Sequence, residues 1–305
     1  MRAAPALGID LGGTKIHAGV VVPDGGILGE ARLPTEAQRD TEAVFGNIVA
    51  AARQALEAAG VDPADVQGVG VGSPAPLDVA EGVLLTPANL PSLFGFPMVA
   101  RLKEELARPV VLNNDANCLG LAEARFGAGA GVEVCCGLTL GTGLGCFLVI
   151  GGELFNGPRG AAAEIWCSPY KGDHVEEKVS GRGLARNYRK LTERIATAEQ
   201  IASLAREGDA DARLAWREYG RDLAVPIIYL CNILDADLVV LGGSMVKAWD
   251  LFHETMFEET MKYVNAVTRA AVRIVPGALG DAAGMLGAAA LVLEGPSSAA
   301  GREGL

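Results

Sequence analysis

No disulfide framework, targeting segment or membrane span is expected of this chain. Its six cysteines show no framework spacing. Cys135, Cys136, Cys146 and Cys231 lie in apolar runs, and buried thiols suit a reducing cytoplasm, where the protein is expected. The N-terminus has no basic segment leading into an apolar core, so no signal peptide is expected. No uninterrupted apolar run reaches membrane-spanning length. Basic clusters are missing as well. A net charge of −11 argues against a nucleic-acid surface, so an anionic ligand has to be met by local groups. No GxxxxGK[ST] loop occurs, and no GxGxxG opens a helix. Only a few residues precede the first strand, and no helix-turn-helix is expected there.

The chain is rich in Ala, Gly and Val, and half of it is apolar, an ordinary soluble α/β composition. Its 305 residues suffice for two lobes, each with its own core. The stretch Gly8-Ile9-Asp10-Leu11-Gly12-Gly13-Thr14-Lys15-Ile16 links an apolar strand to an alternating one through a Gly-Gly turn. A plain hairpin would need the glycines alone. Here Asp10 precedes them, and Thr14 and Lys15 follow. Two glycines let backbone N–H groups approach an anion closely. Thr14 adds a hydroxyl donor and Lys15 a point charge, while Asp10 can hold a magnesium ion through water. The same order of strand, Gly/Thr turn and strand returns at Thr139-Leu140-Gly141-Thr142-Gly143-Leu144-Gly145. Two such hairpins far apart suggest a duplicated unit that grips a nucleotide from both sides.

Helical spacing predicts a helix over 41–59, stopped by Gly60. A strand over 66–71 ends in Gly72-Ser73-Pro74, a loop covers 75–96, and a short helix covers 99–107. A strand over 109–112 delivers Asn113-Asn114-Asp115, and a helix over 116–126 follows. Helices fill most of 180–234 with a break at Gly208. A strand over 238–241 ends in Gly242-Gly243, and a helix over about 248–264, a strand over 272–275 and a helix over about 282–293 close the chain. The expected division is a small α/β lobe of residues 1–114, with the closing helix packed back on it, and a large α/β lobe of residues 115–281. The Gly/Ser/Ala/Pro-rich tail, 295–305, is expected to be disordered.

Asn114-Asp115-Ala116-Asn117 falls where a strand ends and a helix begins, the edge at which open α/β sheets present ligand groups. Asp115 is placed to act as a general base, and Asn114 to bond a substrate hydroxyl. The plainer alternative is that Asp115 caps the helix. His17 and His253 have no ligand-like company and read as structural or surface residues.

Together, Asp10 to Lys15, Asn114 to Asn117, Leu140 to Gly145, Ala163-Glu164-Ile165 and Gly242-Gly243 resemble the bacterial ROK sugar kinases and repressors, in the family's order, over roughly residues 7–293. The resemblance implies an actin/hexokinase-like (ribonuclease H-like) duplicated two-lobe fold with mixed sheets, holding ATP and sugar in its cleft. It implies phosphate loops at Asp10, Gly12, Gly13, Thr14 and Lys15 and at Gly141, Thr142 and Gly143. Gly242 and Gly243 would lie near the adenosine, and Asp115 would be the base. Asn89, Asn114 and Glu164 would contact the sugar. ATP and Mg2+ are the implied cofactors, a hexose the substrate and a homodimer the assembly.

Two departures stand out. Pro74-Ala75 replaces the family's usual Pro-Gly. After Glu164-Ile165, Trp166-Cys167 replaces Gly-His, and the cysteine-rich zinc loop is absent. By register Glu176 would be the second sugar glutamate, with Glu177 the fallback; either could instead be an exposed first turn of a helix. A closed zinc site needs four ligands. Only Cys167 and His174, with Asp173 a poor third, are at hand, so no structural zinc is expected. Trp166, Pro169 and Tyr170 are expected to hold the segment by packing. The expected activity is transfer of the γ-phosphoryl of ATP to a hexose 6-hydroxyl, glucose being the family's commonest substrate. Fructose, mannose or an N-acetylhexosamine are alternatives, as is polyphosphate as donor. A sugar-responsive regulator without turnover and a degenerate scaffold are the rival classes.

Overall fold

A computed structural model describes residues 4–87 and 89–293. The predicted tail lies outside them. The chain forms two compact units. One runs to Gly127 and takes the chain up again at Asp281; the other is Ala128–Gly280.

In the first unit β1 (Ala6–Leu11), β2 (Lys15–Val21) and β3 (Ile27–Pro34) form an antiparallel meander. The helix α1 (Thr41–Ala59) follows. Asp40 caps it by accepting from the Ala43 N–H, and Gly60 ends it in the left-handed conformation. Next come β4 (Val69–Ser73), the small hairpin β5 (Leu77–Asp78) and β6 (Val83–Leu84), α2 (Met98–Leu106), β7 (Val110–Asn114) and α3 (Asp115–Phe126). The sheet order is β3-β2-β1-β4-β7, with β1, β4 and β7 parallel. Leu7, Ile9, Ile16, Val44, Ile48 and Val71 are fully buried between sheet and helix.

The second unit repeats the plan. β8 (Val134–Leu140), β9 (Leu144–Ile150) and β10 (Glu153–Leu154) form the meander, and the hairpin β11 (Pro169–Tyr170) and β12 (Asp173–His174) follows. The helices α4 (Glu176–Val179), α5 (Gly181–Thr192), α6 (Ala198–Glu207) and α7 (Ala210–Leu234) lead to β13 (Leu238–Gly242). Then come α8 (Trp249–Tyr263), α9 (Ala266–Arg269) and β14 (Arg273–Pro276). Gly208 caps α6 where the break was expected. The sheet order is β10-β9-β8-β13-β14, again with the last three strands parallel. Trp216, Tyr219 and Phe252 fill the core with stacked and edge-on rings.

The last helix, α10 (Ala283–Ala290), packs on α3, β1 and β4 of the first unit. The expected boundary at 114 is therefore corrected. The chain leaves the first unit only after α3, because α3 lies against α10 and Arg125 in its last turn donates to the Ala290 carbonyl at 2.6 Å.

Candidate active site

Within the first unit, β1 and β2 pair as far as Leu11 and Ile16, leaving Gly12, Gly13 and Thr14 as the turn. The Gly12 N–H donates to the Lys15 carbonyl at 3.0 Å. A Cβ on Gly13 would stand 2.8 Å from the Asn89 Cβ, so glycine is what lets Asn89 reach the turn. Thr14, Lys15 and Asn89 are exposed. Thr35, fully buried just after β3, holds both ends of the turn. Its Oγ1 donates to the Gly12 carbonyl at 2.6 Å and its N–H to the Thr14 carbonyl at 3.0 Å. Sequence reasoning passed over Thr35, since nothing local marks a threonine after a strand as a partner for a turn in another hairpin.

Asp10 sits at the mouth of this turn. Burial raises its carboxyl above the ordinary value, and His17 and Lys15 pull it partly back. His17, opposite Asp10 on β2, is fully buried and bonds Glu30 at 2.7 Å, in keeping with a structural role. Gly284, in the first turn of α10, backs onto the Asp10 carboxylate; a Cβ there would lie 2.7 Å from its carbon. This was the second residue missed, because only the return of α10 to this unit brings it there. A partly desolvated carboxylate with no hydrogen-bond donor among the described residues suits a hydrated divalent cation, so Asp10 fits the magnesium role.

The parallel strands β4 and β7 end side by side at Ser73 and Asn114. Asn114, not Asp115, caps α3: its Oδ1 accepts from the Ala116 N–H at 2.9 Å. The buried Asn113 braces the corner, its Oδ1 accepting from the Asn114 N–H at 2.8 Å and from the Asn117 amide at 2.9 Å. Asp115 is the first helical residue and is exposed, its carboxylate accepting from the Ala116 N–H at 2.8 Å. Asp10 and Asp115 both act on Cys118. Burial first, and then these two carboxylates, push its thiol well up, so it stays protonated.

Within the second unit, Gly141, Thr142 and Gly143 form the turn between β8 and β9. β13 runs parallel to β8 and pairs Gly242 with Thr139. Gly243 has φ 88°, and a Cβ on it would stand 2.4 Å from the Leu140 carbonyl oxygen. Only glycine lets these two turns lie together, which brings Gly242 and Gly243 beside Gly141. Glu176, in the first turn of α4, points at the same place. Its Oε2 accepts from the Leu144 N–H at 2.9 Å and its Oε1 pairs with Arg182 at 2.9 Å. Glu177, the fallback, pairs with Arg186 at 2.8 Å.

Glu164 is exposed and accepts a hydrogen bond from the Trp166 indole. Cys167 lies 3.2 Å from the Glu164 carbonyl oxygen, bonded to backbone. The expected packing holds only in part. Ile165 and Tyr170 lie against the core, but Pro169 is exposed and Trp166 is 39% exposed, edge-on to His174. The segment is held instead by the pairing of β11 with β12 and by the Tyr170 hydroxyl, which donates to Asp222 at 3.0 Å. Among the described residues, no three His, Cys, Asp or Glu side chains gather as a metal cluster. Nor is any described helix long and apolar enough to cross a membrane.

The sequence profile of the ROK family matches residues 6–295. The glucokinase of Thermotoga maritima is 28% identical over 94% of this chain and 97% of its own. The N-acetyl-D-glucosamine kinase of Citrobacter koseri is 32% identical over 94% and 98%. Among solved structures, a ROK family glucokinase from Streptomyces griseus in complex with glucose and AMPPNP superposes with a TM-score of 0.79 at 28% identity, covering 94% of this chain and 99% of that one.

Proposed function

The chain belongs to the ROK family, and on that footing we propose that it is an ATP-dependent hexose kinase acting on the 6-hydroxyl, with glucose as the first candidate. One observation carries the proposal: a single unit holds two carboxylates in opposite settings. Asp10 is desolvated at a glycine turn, and Asp115 is exposed at the start of α3.

A sugar hydroxyl is too weak an acid to attack phosphorus unaided. Asp115 takes its proton as the 6-oxygen bonds to the γ-phosphorus. The bond from that phosphorus to the β,γ-bridging oxygen breaks, and ADP leaves with the electron pair. In the first unit Asn89 and Asn114 orient sugar hydroxyls, and the turn amides with Thr14 and Lys15 align phosphates. The second unit, taken by itself, offers Glu164 for a sugar hydroxyl, the Gly141–Gly143 turn with Thr142 for phosphate, and Gly242-Gly243 for the approach of a nucleoside. Asp10 is the residue that would hold a magnesium ion through water, and the ion would supply neutralisation of phosphate charge.

A coupled ADP-release assay over glucose, mannose, fructose and N-acetylglucosamine, with ATP or polyphosphate as donor, tests this. Glucose with ATP is expected to give the highest kcat/KM. N-Acetylglucosamine is the second reading, favoured by the Citrobacter relative. Sugar binding without phosphorylation of any of them would mean a regulator. Asp115→Asn should lower kcat by about 10²–10⁴-fold while the glucose Kd stays within a few-fold; near-normal kcat would exclude Asp115 as the base. The proposed homodimer is tested by light scattering.

A further inference from the structure

Glu164 and Glu176, the two glutamates expected to contact sugar, stand at the two ends of one short segment of the second unit. Between them the chain forms the small hairpin of β11 and β12. A two-stranded hairpin this short does not hold itself in water. The family's zinc loop is absent, and among the described residues no three His, Cys, Asp or Glu side chains gather to replace it.

Charged side chains take that place. On one side of the hairpin, the Tyr170 hydroxyl and the Lys171 ammonium both donate to one oxygen of Asp222 on α7, at 3.0 and 2.5 Å. On the other, Asp173 faces two cations, Arg186 of α5 at 3.6 Å and Lys178 of α4 at 3.7 Å. Arg186 also pairs with Glu177 at 2.8 Å and donates to the Glu177 carbonyl. One guanidinium thus ties β12, α4 and α5 together, one residue from Glu176. Gly183 admits the contact, since a Cβ there would lie 2.7 Å from the Glu177 carbonyl oxygen. Lys171, Lys178, Arg186, Glu177 and Asp222 line a cleft of about 160 Å³. The side chains of Arg186 and Lys171 are 40% and 53% exposed, so dissolved salt reaches the pairs. An isolated exposed pair contributes little, but several that share partners contribute more.

We propose that this network is an ion-pair clamp that holds the 164–176 segment in place of a metal, and that Arg186 and Asp222 are positioning residues for sugar recognition. The proposal rests on the reading of Glu164 and Glu176 as sugar contacts. Arg186 and Asp222 act through the backbone that carries those glutamates and do not themselves touch sugar. Salt screens a clamp of half-exposed pairs. A hexose carries no charge, so salt dependence of its binding originates in the protein.

The test measures glucose affinity by calorimetry, without nucleotide and on the full chain, in sodium chloride raised to about 1 M, where the screening length is about 3 Å. N-Acetylglucosamine, equally uncharged, is the second probe. Wild-type affinity is expected to fall about fivefold from low to high salt, the upper range of one exposed pair. Arg186→Ala and Asp222→Asn are expected to lower affinity at low salt and raise the KM for glucose, each about fivefold, with kcat at saturating substrates within about twofold. Both should flatten the salt dependence. Asp222→Asn keeps an acceptor for the Tyr170 hydroxyl and removes only the charge. Arg186→Lys should recover part of the loss, since lysine restores the charge but not the fork geometry. Wild-type affinity that ignores salt overturns the clamp without recourse to any variant. So does a salt dependence that persists in Arg186→Ala and Asp222→Asn, or a loss of kcat with hexose affinity unchanged. Wild type that binds a hexose yet phosphorylates none defeats the kinase reading and leaves the clamp measurable. Wild type that binds neither sugar defeats both.

Discussion

Asp10 holds a carboxylate that burial pushes above its ordinary value, with no hydrogen-bond donor to offset the desolvation among the described residues. The stability consequence has a definite sign. With the folded value raised, the folded state binds more protons than the unfolded chain between the ordinary carboxylate range and the raised value. Stability therefore falls as pH rises through that window, and at neutral pH the ionised group is a net cost. Metal-free Asp10→Asn should melt higher than wild type at pH 7 by scanning calorimetry in EDTA. The gap should close as the pH falls below about 4, the model-peptide range, while magnesium-dependent turnover is lost. A variant less stable than wild type at pH 7 would refute this. The position of Asp115 where β7 ends and α3 begins was legible because Asn-Asp at a strand end is a local signal. Which of the two residues caps the helix was not, since that depends on the side-chain rotamers, and Asn114 takes the cap.

Turns and helices show which contacts hold the site elements in place. Thr35 bridges the first turn, and Thr35→Val would strand the Gly12 carbonyl without its donor. The expected cost is about 1–3 kcal/mol in urea unfolding, with a raised KM for ATP, and Thr35→Ser should restore most of both. The seat of α10 is tighter still. A Cβ on Gly70 would lie 1.7 Å from the Ala288 carbonyl oxygen, backbone on which no rotamer can relieve the clash. Gly70→Ala should cost at least the roughly 3 kcal/mol at the upper end of ordinary overpacking, read as a lower unfolding midpoint. An unchanged midpoint would show that α10 can shift away from the sheet. The elements themselves were readable. The predicted helix over 41–59 has those bounds, and the others shift by a few residues, because periodicity and Gly stops are local. The glycines that admit α10 carry no such mark, since their reason is a helix more than two hundred residues away.

Across the whole chain, two units share one topology, an antiparallel meander followed by two parallel strands. The repeat of strand, glycine turn and strand at Gly12 and Gly141 foretold this duplication. The chain has one feature that only the full structure sets in context: the 164–176 segment is held by strand pairing and by Asp222 on α7. Cys167 and His174 are both exposed, and His174 faces Trp166. Metal analysis of untagged protein should find less than one zinc per chain, and activity should survive a zinc chelator in excess magnesium. Stoichiometric zinc with chelator-sensitive activity would overturn this.

What the sequence by itself determined is whatever depends on neighbours along the chain: strand and helix periods, the two glycine turns, the acid before the first of them and the Asn-Asp at a strand end. These follow from side-chain spacing and turn chemistry, which act over a few residues. Tertiary structure alone decided the partners. It put Thr35 under the first turn, Gly284 behind Asp10, α3 with the first unit, and one oxygen of Glu176 on the Leu144 N–H beside the second turn with the other on Arg182. Those pairings follow from strand order and helix seating. Their cause is the close packing of backbone on backbone, which no local pattern of residues records.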